Sequence, residues 1–359
     1  VDESLLRHSP LEAEHLASGG RLVPFAGWSL PVQYGGILAE HQAVRTACGV
    51  FDISHMGQVT VSGPEAGPWL DQLVSRRPGT LAVGQGAYQF LLNEAGGVLD
   101  DLIVYRTGVD RWFLVINAAR REEDLAWFAA HAVPGVVLED RSATHGAIAV
   151  QGPRAQAVYA AMWPDGPALP DRFGITERDG VTVCRTGYTG EDGFELCAPV
   201  AELPGWWRRA VAAGAEPCGL GARDLLRLEK CYPLHGNDLS PEHTPLEAGL
   251  GWAVDLDAGG FIGAEALRRQ RAEGITRRLV AVEGTGKMPP PRPGYPVHAE
   301  ESGGEAPIGV LTSGGWSPAR DAGIALAYLP TGWHRPGRPV WIGVRDRRYP
   351  AVVVAKPFV

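Results

Sequence analysis

Two adjacent carboxylates, Asp100 and Asp101, sit in an otherwise apolar run, Val98 to Tyr105, that reads as a strand. Neighbouring residues on a strand point to opposite faces, so the two acids cannot both face one interior. An inward carboxylate between Leu99 and Ile103 costs several kcal/mol unless something pairs with it. The plainest account is an edge strand with both carboxylates hydrated, because aspartate is rarely buried. The neighbouring runs suggest another. Residues 87–92, 98–106 and 112–117 are close enough in sequence to form a meander. With Thr107 to Arg111 as the hairpin loop, Asp101 falls opposite Asn117, and Tyr88 falls within about one register step on the other side. A carboxylate, an amide and a phenol then stand at one level of a sheet. Polar groups converging on an apolar wall are the usual mark of a small-molecule site. A satisfied buried network that merely fixes the fold accounts for the same spacing.

A second acid stands in a comparable place. Gly187-Tyr188-Thr189-Gly190-Glu191-Asp192-Gly193 is a glycine-rich hairpin turn, and it enters a strand through Phe194-Glu195-Leu196. Glu195 faces away from its two apolar neighbours. It is either solvated or lines a groove, where its two oxygens suit a flat partner with two adjacent N–H donors. Other chemistries lack their residues. Gly284-Thr285-Gly286-Lys287 has the wrong spacing for a phosphate loop. Gly219-Leu220-Gly221 lacks the third glycine and the preceding strand of a dinucleotide site. There is no H-E-x-x-H, no G-x-S-x-G and no carboxylate–histidine metal cluster, so no metal is expected. Cys48, Cys184, Cys197, Cys218 and Cys231 form no C-x-x-C pair. An odd count without a framework fits reduced thiols.

The elements that position these acids can be read from the rest of the chain. Its 359 residues suggest two or three domains. A net charge of −8 and a pI near 5.7 argue against a general nucleic-acid binder. No apolar run reaches the ~20 residues of a membrane span. The opening Val1-Asp2-Glu3-Ser4 carries no signal-peptide pattern, so a cytoplasmic protein is expected, or a mitochondrial matrix protein after loss of a transit peptide. Helices are expected over 5–16, 37–48 and 263–271, with an irregular aromatic stretch over 23–34. Asn93 to Gly97 reads as a turn in which both glycines accept positive φ. Two echoes run through the middle of the chain. Val59-Thr60-Val61-Ser62-Gly63-Pro64 resembles Ile148-Ala149-Val150-Gln151-Gly152-Pro153, each leading into a helix. Val104-Tyr105-Arg106-Thr107-Gly108 resembles Val183-Cys184-Arg185-Thr186-Gly187. The order β-α-β-β-β-α therefore repeats over 58–131 and 145–213, giving two related α+β half-units of split βαβ character. After a stiff, linker-like Lys287-Met288-Pro289-Pro290-Pro291-Arg292-Pro293, short strands at close spacing predict a small β-barrel.

Taken together, the residues resemble the aminomethyltransferase (T-protein) family of the glycine cleavage system. The resemblance is carried by Phe25 to Tyr34, Phe51-Asp52-Ile53-Ser54-His55-Met56, Asn93 through Asp101, Tyr188 through Glu195, Gly221-Ala222-Arg223-Asp224, Arg227-Leu228-Glu229 and Gly236-Asn237-Asp238. It implies an α+β fold with two split-βαβ folate-binding units and a C-terminal β-barrel, in a cloverleaf around a central channel. Residues 1–272 would be the folate-binding region, with half-units at about 50–140 and 141–272 and residues 1–49 packed against them; 273–359 would be the barrel. It also implies a reaction, in which an aminomethyl group on lipoyl H-protein meets tetrahydrofolate, ammonia leaves, and 5,10-methylenetetrahydrofolate and dihydrolipoyl H-protein form. In the family's pattern Asp101 is the catalytic carboxylate, while Met56, Tyr88, Val115, Asn117, Tyr188, Glu195 and Arg223 contact folate. Three features depart from that pattern, the first being Tyr88, where family members often carry Leu or another residue. Position 235 is His where the family pattern has Tyr, and the chain ends at Val359 without the aromatic tail of some relatives. Two alternatives share the fold. A folate-binding iron–sulfur maintenance protein relies on a Lys-Gly-Cys-Tyr element, which Lys230-Cys231-Tyr232 only partly echoes. A folate-dependent demethylase is the other.

Overall fold

The strand carrying the two acids runs Val98–Gly108 and is interior to a five-stranded sheet, between Gly86–Leu92 and Arg111–Ile116. The edge-strand account with hydrated acids is therefore overturned: Asp100 is fully buried. This computed structural model describes residues 5–257, 259–302 and 306–359, so the Val1–Ser4 stretch read for targeting lies outside the described residues. Burial alternates along the strand as the pleat requires. Asp100, Leu102 and Val104 are buried on one face, and Asp101 and Ile103 are half-buried on the other. The buried face is covered by helices Ala66–Leu73 and Arg121–Ala130, whose Trp69 and Phe128 rings meet at 5.7 Å. Strands Gly57–Ser62 and Val137–Asp140 complete the sheet.

The expected repeat is present element for element. Gly57–Ser62, Ala66–Leu73, three strands and Arg121–Ala130 make the first copy. His145–Gln151, Ala155–Met162, strands Ile175–Arg178, Val181–Cys184 and Gly193–Pro199, and Leu203–Ala212 make the second. The Gly-Pro turns are stereochemically alike. Gly63 has φ +120° and Gly152 has φ +136°. An added Cβ would stand 1.9 Å from the Gly135 carbonyl at the first and 2.5 Å from the Ala47 carbonyl at the second. Only glycine fits either site. The second sheet buries Ile148, Val150, Phe194 and Leu196 against Tyr159, Trp206 and Trp207. It also takes in Gly49–Asp52, which pairs with His145–Gln151. That strand was expected at the start of the first half-unit.

Several local expectations change. The helix expected over 5–16 is confined to Glu12–Ala17, because Arg7 and His8 pair with Trp28 and Ser29. The aromatic stretch over 23–34 is not irregular: Arg21–Phe25 and Trp28–Gln33 form a hairpin. Its turn residues, Ala26 at φ +47° and Gly27 at φ +78°, both adopt the left-handed conformation that matches strand twist. In the Asn93–Gly97 turn only Gly96 has a positive φ, +82°. Gly97 is required for a different reason, since a Cβ there would lie 1.8 Å from the Pro241 carbonyl.

Contacts sort the chain into two units, one holding the residues through Leu91 with Asp100–Asp224, the other holding Leu92–Leu99 with Leu225–Val359. In the second unit the barrel is closed and six-stranded. Its short strand Pro296–His298 escapes a reading based on strand-length runs. The proline stretch is not a linker, because Pro291 is buried and packs on Gly314 and Gly323 of the barrel strands. All five cysteines are free. Among the described residues no helix is long and apolar enough to cross a membrane.

Candidate functional site

The register places the predicted residues as expected. Ile103 pairs with Val115, which sets Asp101 opposite Asn117 two residues on. Asp101, Ile103, Val115 and Asn117 therefore share the half-buried face of the sheet. The Tyr88 hydroxyl donates to Asp101 Oδ2 at 2.8 Å. Asn117 Nδ2 lies 2.9 Å from Asp101 Oδ1 and 2.9 Å from the Asp101 carbonyl. Both carboxylate oxygens of Asp101 thus have a neutral donor. Burial, and after it the neighbouring Asp100 charge, push Asp101 up to about 7, against the pull of the Tyr88 and Asn117 hydrogen bonds. A carboxyl balanced near neutrality can both take and return a proton.

Glu195 comes to the site from the second half-unit, paired in register with Cys184 and Ala149. It is buried, and Thr186 donates to its Oε2 at 2.7 Å. Tyr105 of the first sheet in turn meets Thr186 Oγ1 at 2.8 Å, so a hydroxyl relay joins the acid-bearing strand to Glu195. Burial raises Glu195, while the Thr186 bond and the Arg223 charge oppose the rise. Arg223, in helix Leu220–Glu229, stacks over the Tyr188 ring at 4.9 Å. Its Nη1 is buried and meets no acceptor. Burial is the main cause that lowers Arg223, with Glu195 and Tyr188 counteracting it. Met56 is half-buried on the turn after Gly49–Asp52, its N–H bonded to the Ile53 carbonyl. Next to it, His55 is buried. Burial and the Arg223 charge push it down to about 4, so it is neutral near pH 7.

The structure therefore brings Tyr88, Asp101, Val115 and Asn117 together on one sheet. Tyr188, Glu195 and Arg223 gather beside the other. Sequence reasoning missed the Tyr105–Thr186 link and the neutral His55. It also missed Asp124, which is buried in helix Arg121–Ala130 on the same face as Phe128. A carboxylate four residues from an apolar helix position was the available signal. A surface cleft of about 530 Å³ elsewhere, lined by Arg7, His8, Trp28, Arg121 and His145 among others, holds none of the predicted residues. Its arginines are engaged, Arg7 by Glu122 and Arg121 by Asp140.

Known proteins resemble this chain along its whole length. A family profile described as the GCVT N-terminal domain matches residues 11–258, and the glycine cleavage T-protein C-terminal barrel domain matches 277–359. An aminomethyltransferase of Synechococcus elongatus is 43% identical over 367 residues, covering 100% of this chain and 97% of that protein. One of Rubrobacter xylanophilus is 46% identical over 364 residues, covering 100% and 95%. The crystal structure of glycine cleavage system aminomethyltransferase T from Bartonella henselae matches with a TM-score of 0.93 at 35% identity, covering 99% of this chain and 98% of that one.

Proposed function

The chain belongs to the aminomethyltransferase family of the glycine cleavage system, and on that premise we propose that it moves the methylene of an aminomethyl group from lipoyl H-protein to tetrahydrofolate, releasing ammonia. The observation that carries this reading is Asp101, a carboxyl held by two neutral donors and balanced near neutral pH. Asp101 orients the folate amine, accepts its proton and stabilises the positive charge that develops as ammonia departs. Glu195 receives the paired N–H edge of the pterin through its carboxylate. Arg223 keeps a buried N–H group without a protein acceptor, which suits a polar group of the ligand. Met56 and Val115 supply apolar wall, Tyr188 a flat ring, and Asn117 and Tyr88 fix Asp101.

Residues 1–272 act in this reading as the folate-binding region and 273–359 as the barrel domain, in the cytoplasm or, in a eukaryote, the mitochondrial matrix. The iron–sulfur maintenance and demethylase alternatives are not favoured, because the full-length relatives above are aminomethyltransferases. The direct test supplies aminomethyl-lipoyl H-protein and tetrahydrofolate and measures ammonia. No folate-dependent ammonia from an H-protein preparation active with a known aminomethyltransferase would sink the reading.

Two substitutions separate the roles. Tyr88→Phe removes a hydrogen bond that lowers the Asp101 pKa. The base form then requires a higher pH, so the acid limb of the rate profile should move upward. Turnover should fall several-fold at neutral pH, on the ~1 kcal/mol scale of one hydrogen bond, and recover on the alkaline side. An unmoved limb would reject this role for Tyr88. Glu195→Ala should weaken folate binding by roughly 10–100-fold, the scale of a hydrogen bond to a charged group. Equilibrium titration of folate checks this; unchanged affinity would remove Glu195 from the pterin site.

A further inference from the structure

Behind Asp101, on the opposite face of its strand, lies an acidic pair that the proposed reaction does not touch. Asp100 is 0% exposed and Asp124 is 1% exposed. Asp124 Oδ2 is buried and meets no protein donor among the described residues, and the two acids lie close enough to act on each other's charge. Asp100 also accepts from Asn117 twice, Oδ2 from the backbone N–H at 3.1 Å and Oδ1 from Nδ2 at 2.9 Å. That same Nδ2 reaches Asp101. Among the described residues neither Asp100 nor Asp124 forms an ion pair. The charged groups beside Asp124 are Arg120 and Glu123, which pair with each other at 3.7 Å. Asp101, next along the strand but on its other face, and Tyr88 on the preceding strand are the other titratable groups that feel the Asp100 charge. Two neighbouring carboxyls removed from water, with only Arg120 among the described residues to offset the charge, and that on the Asp124 side, do not both ionise, and one proton stays between them.

We propose that Asp100 and Asp124 share one proton at neutral pH, and that this pair is the positioning device that keeps the Asn117 amide turned toward Asp101. The geometry gives the reason. An amide can present either its NH2 or its oxygen to Asp101. The NH2 is selected because the Asp100 carboxylate takes both the Asn117 backbone N–H and its Nδ2–H. The shared proton holds Asp100 in place for that grip. Without it two adjacent charges would push the pair apart and release the amide. Burial, followed for Asp100 by the charge of its partner, raises both groups. Asp100 and Asp124 are thus positioning residues that act through Asn117. The kinetic consequence rests on the reading of Asp101 given above, but the proton is measurable without turnover.

The experiment follows the carboxyl carbons of aspartate-labelled, full-length, ligand-free protein by ¹³C NMR as pH is varied. Two coupled resonances should titrate well above the usual aspartate value of ~4. In Asp124→Asn the coupled titration should vanish, because the amide N–H replaces the shared proton. In turnover, Asp124→Leu should lower kcat by ~10–100-fold, the scale of a misplaced group, with little change in the folate KM. Asp124→Asn should recover most of that loss. Two carboxyls titrating independently in the ordinary range would overturn the proposal, as would full kcat in folded Asp124→Leu. Should Asp124→Leu fail to fold, the Asp124→Asn titration decides alone. If the H-protein reaction is absent altogether, every variant is equally silent in turnover while the NMR titration still reads the pair.

Discussion

Asp101→Asn is expected to slow folate-dependent ammonia release by ~10²–10⁴-fold, the range for one acid–base group, with folate still bound. The substitution keeps the shape of the side chain. It removes the ability to take a proton and the negative charge that faces the developing cation. It also disturbs the local pattern, because Tyr88 and Asn117 both donate to this side chain. An amide offers one acceptor where the carboxylate offers two, so one of those donors is left facing an N–H group. The pH profile separates the chemical loss from the positional one. Asp101 is raised to about 7, and as a base it works only when deprotonated. The parent rate should therefore climb with pH through neutrality. In Asp101→Asn the residual rate should lose that limb. Stopped-flow or discontinuous ammonia assays across the pH range, with a folate titration alongside, give both quantities. Full turnover in Asp101→Asn would place the chemistry elsewhere, and a surviving acid limb would assign that ionisation to another group.

The placement of Asp101 beside Asn117 was largely legible before the fold was known. A hairpin of defined length fixes register, and register alone set Asp101 opposite Asn117. The repeated half-unit was legible for a similar reason: Gly63 and Gly152 occupy backbone conformations that few other residues accept, so each copy keeps its own glycine. Burial of Asp100 was not legible. An aspartate in a strand is buried only if remote partners satisfy it, and Asp124 lies in a helix whose first turn, Glu122-Glu123-Asp124, looks like a solvated acidic cap. The relay from Tyr105 through Thr186 to Glu195 was equally hidden. Tyrosine and threonine are ordinary strand residues, and nothing local marks a hydroxyl that will meet another 81 positions away. The N-terminal hairpin was missed because its turn, Ala26-Gly27, places an alanine at positive φ, a conformation that propensity does not favour.

Some stretches that carry the family resemblance have a different task, and Asp238→Ala should expose it as a loss of about 3–5 kcal/mol in the stability of the C-terminal unit. Arg227 and Asp238 are almost completely buried, at 1% and 0% exposure. Arg227 Nη1 donates to Asp238 Oδ2 at 2.8 Å, and Arg227 Nη2 donates to Ser313 Oγ at 2.8 Å. The same Oδ2 accepts from the Leu234 N–H at 2.9 Å and from Ser313 Oγ at 2.8 Å. Thr312 Oγ1 donates to Oδ1. One carboxylate therefore closes the loop before it and ties it to the barrel strand Gly309–Ser317. Removing it takes a carboxylate partner from a buried guanidinium and leaves the Leu234 N–H and the Ser313 hydroxyl without this acceptor, which costs more than the pair itself contributes. That asymmetry gives the check. Arg227→Met combined with Asp238→Leu should be less destabilised than Asp238→Ala alone, because the buried charge is removed together with this partner. It should still fall short of the parent, since Leu234, Ser313 and Thr312 lose their acceptor. Urea unfolding monitored on the barrel tryptophans would measure both. If Asp238→Ala unfolded at the parent midpoint, the buried pair would hold nothing in place, and Gly236-Asn237-Asp238 would need a role in the chemistry instead.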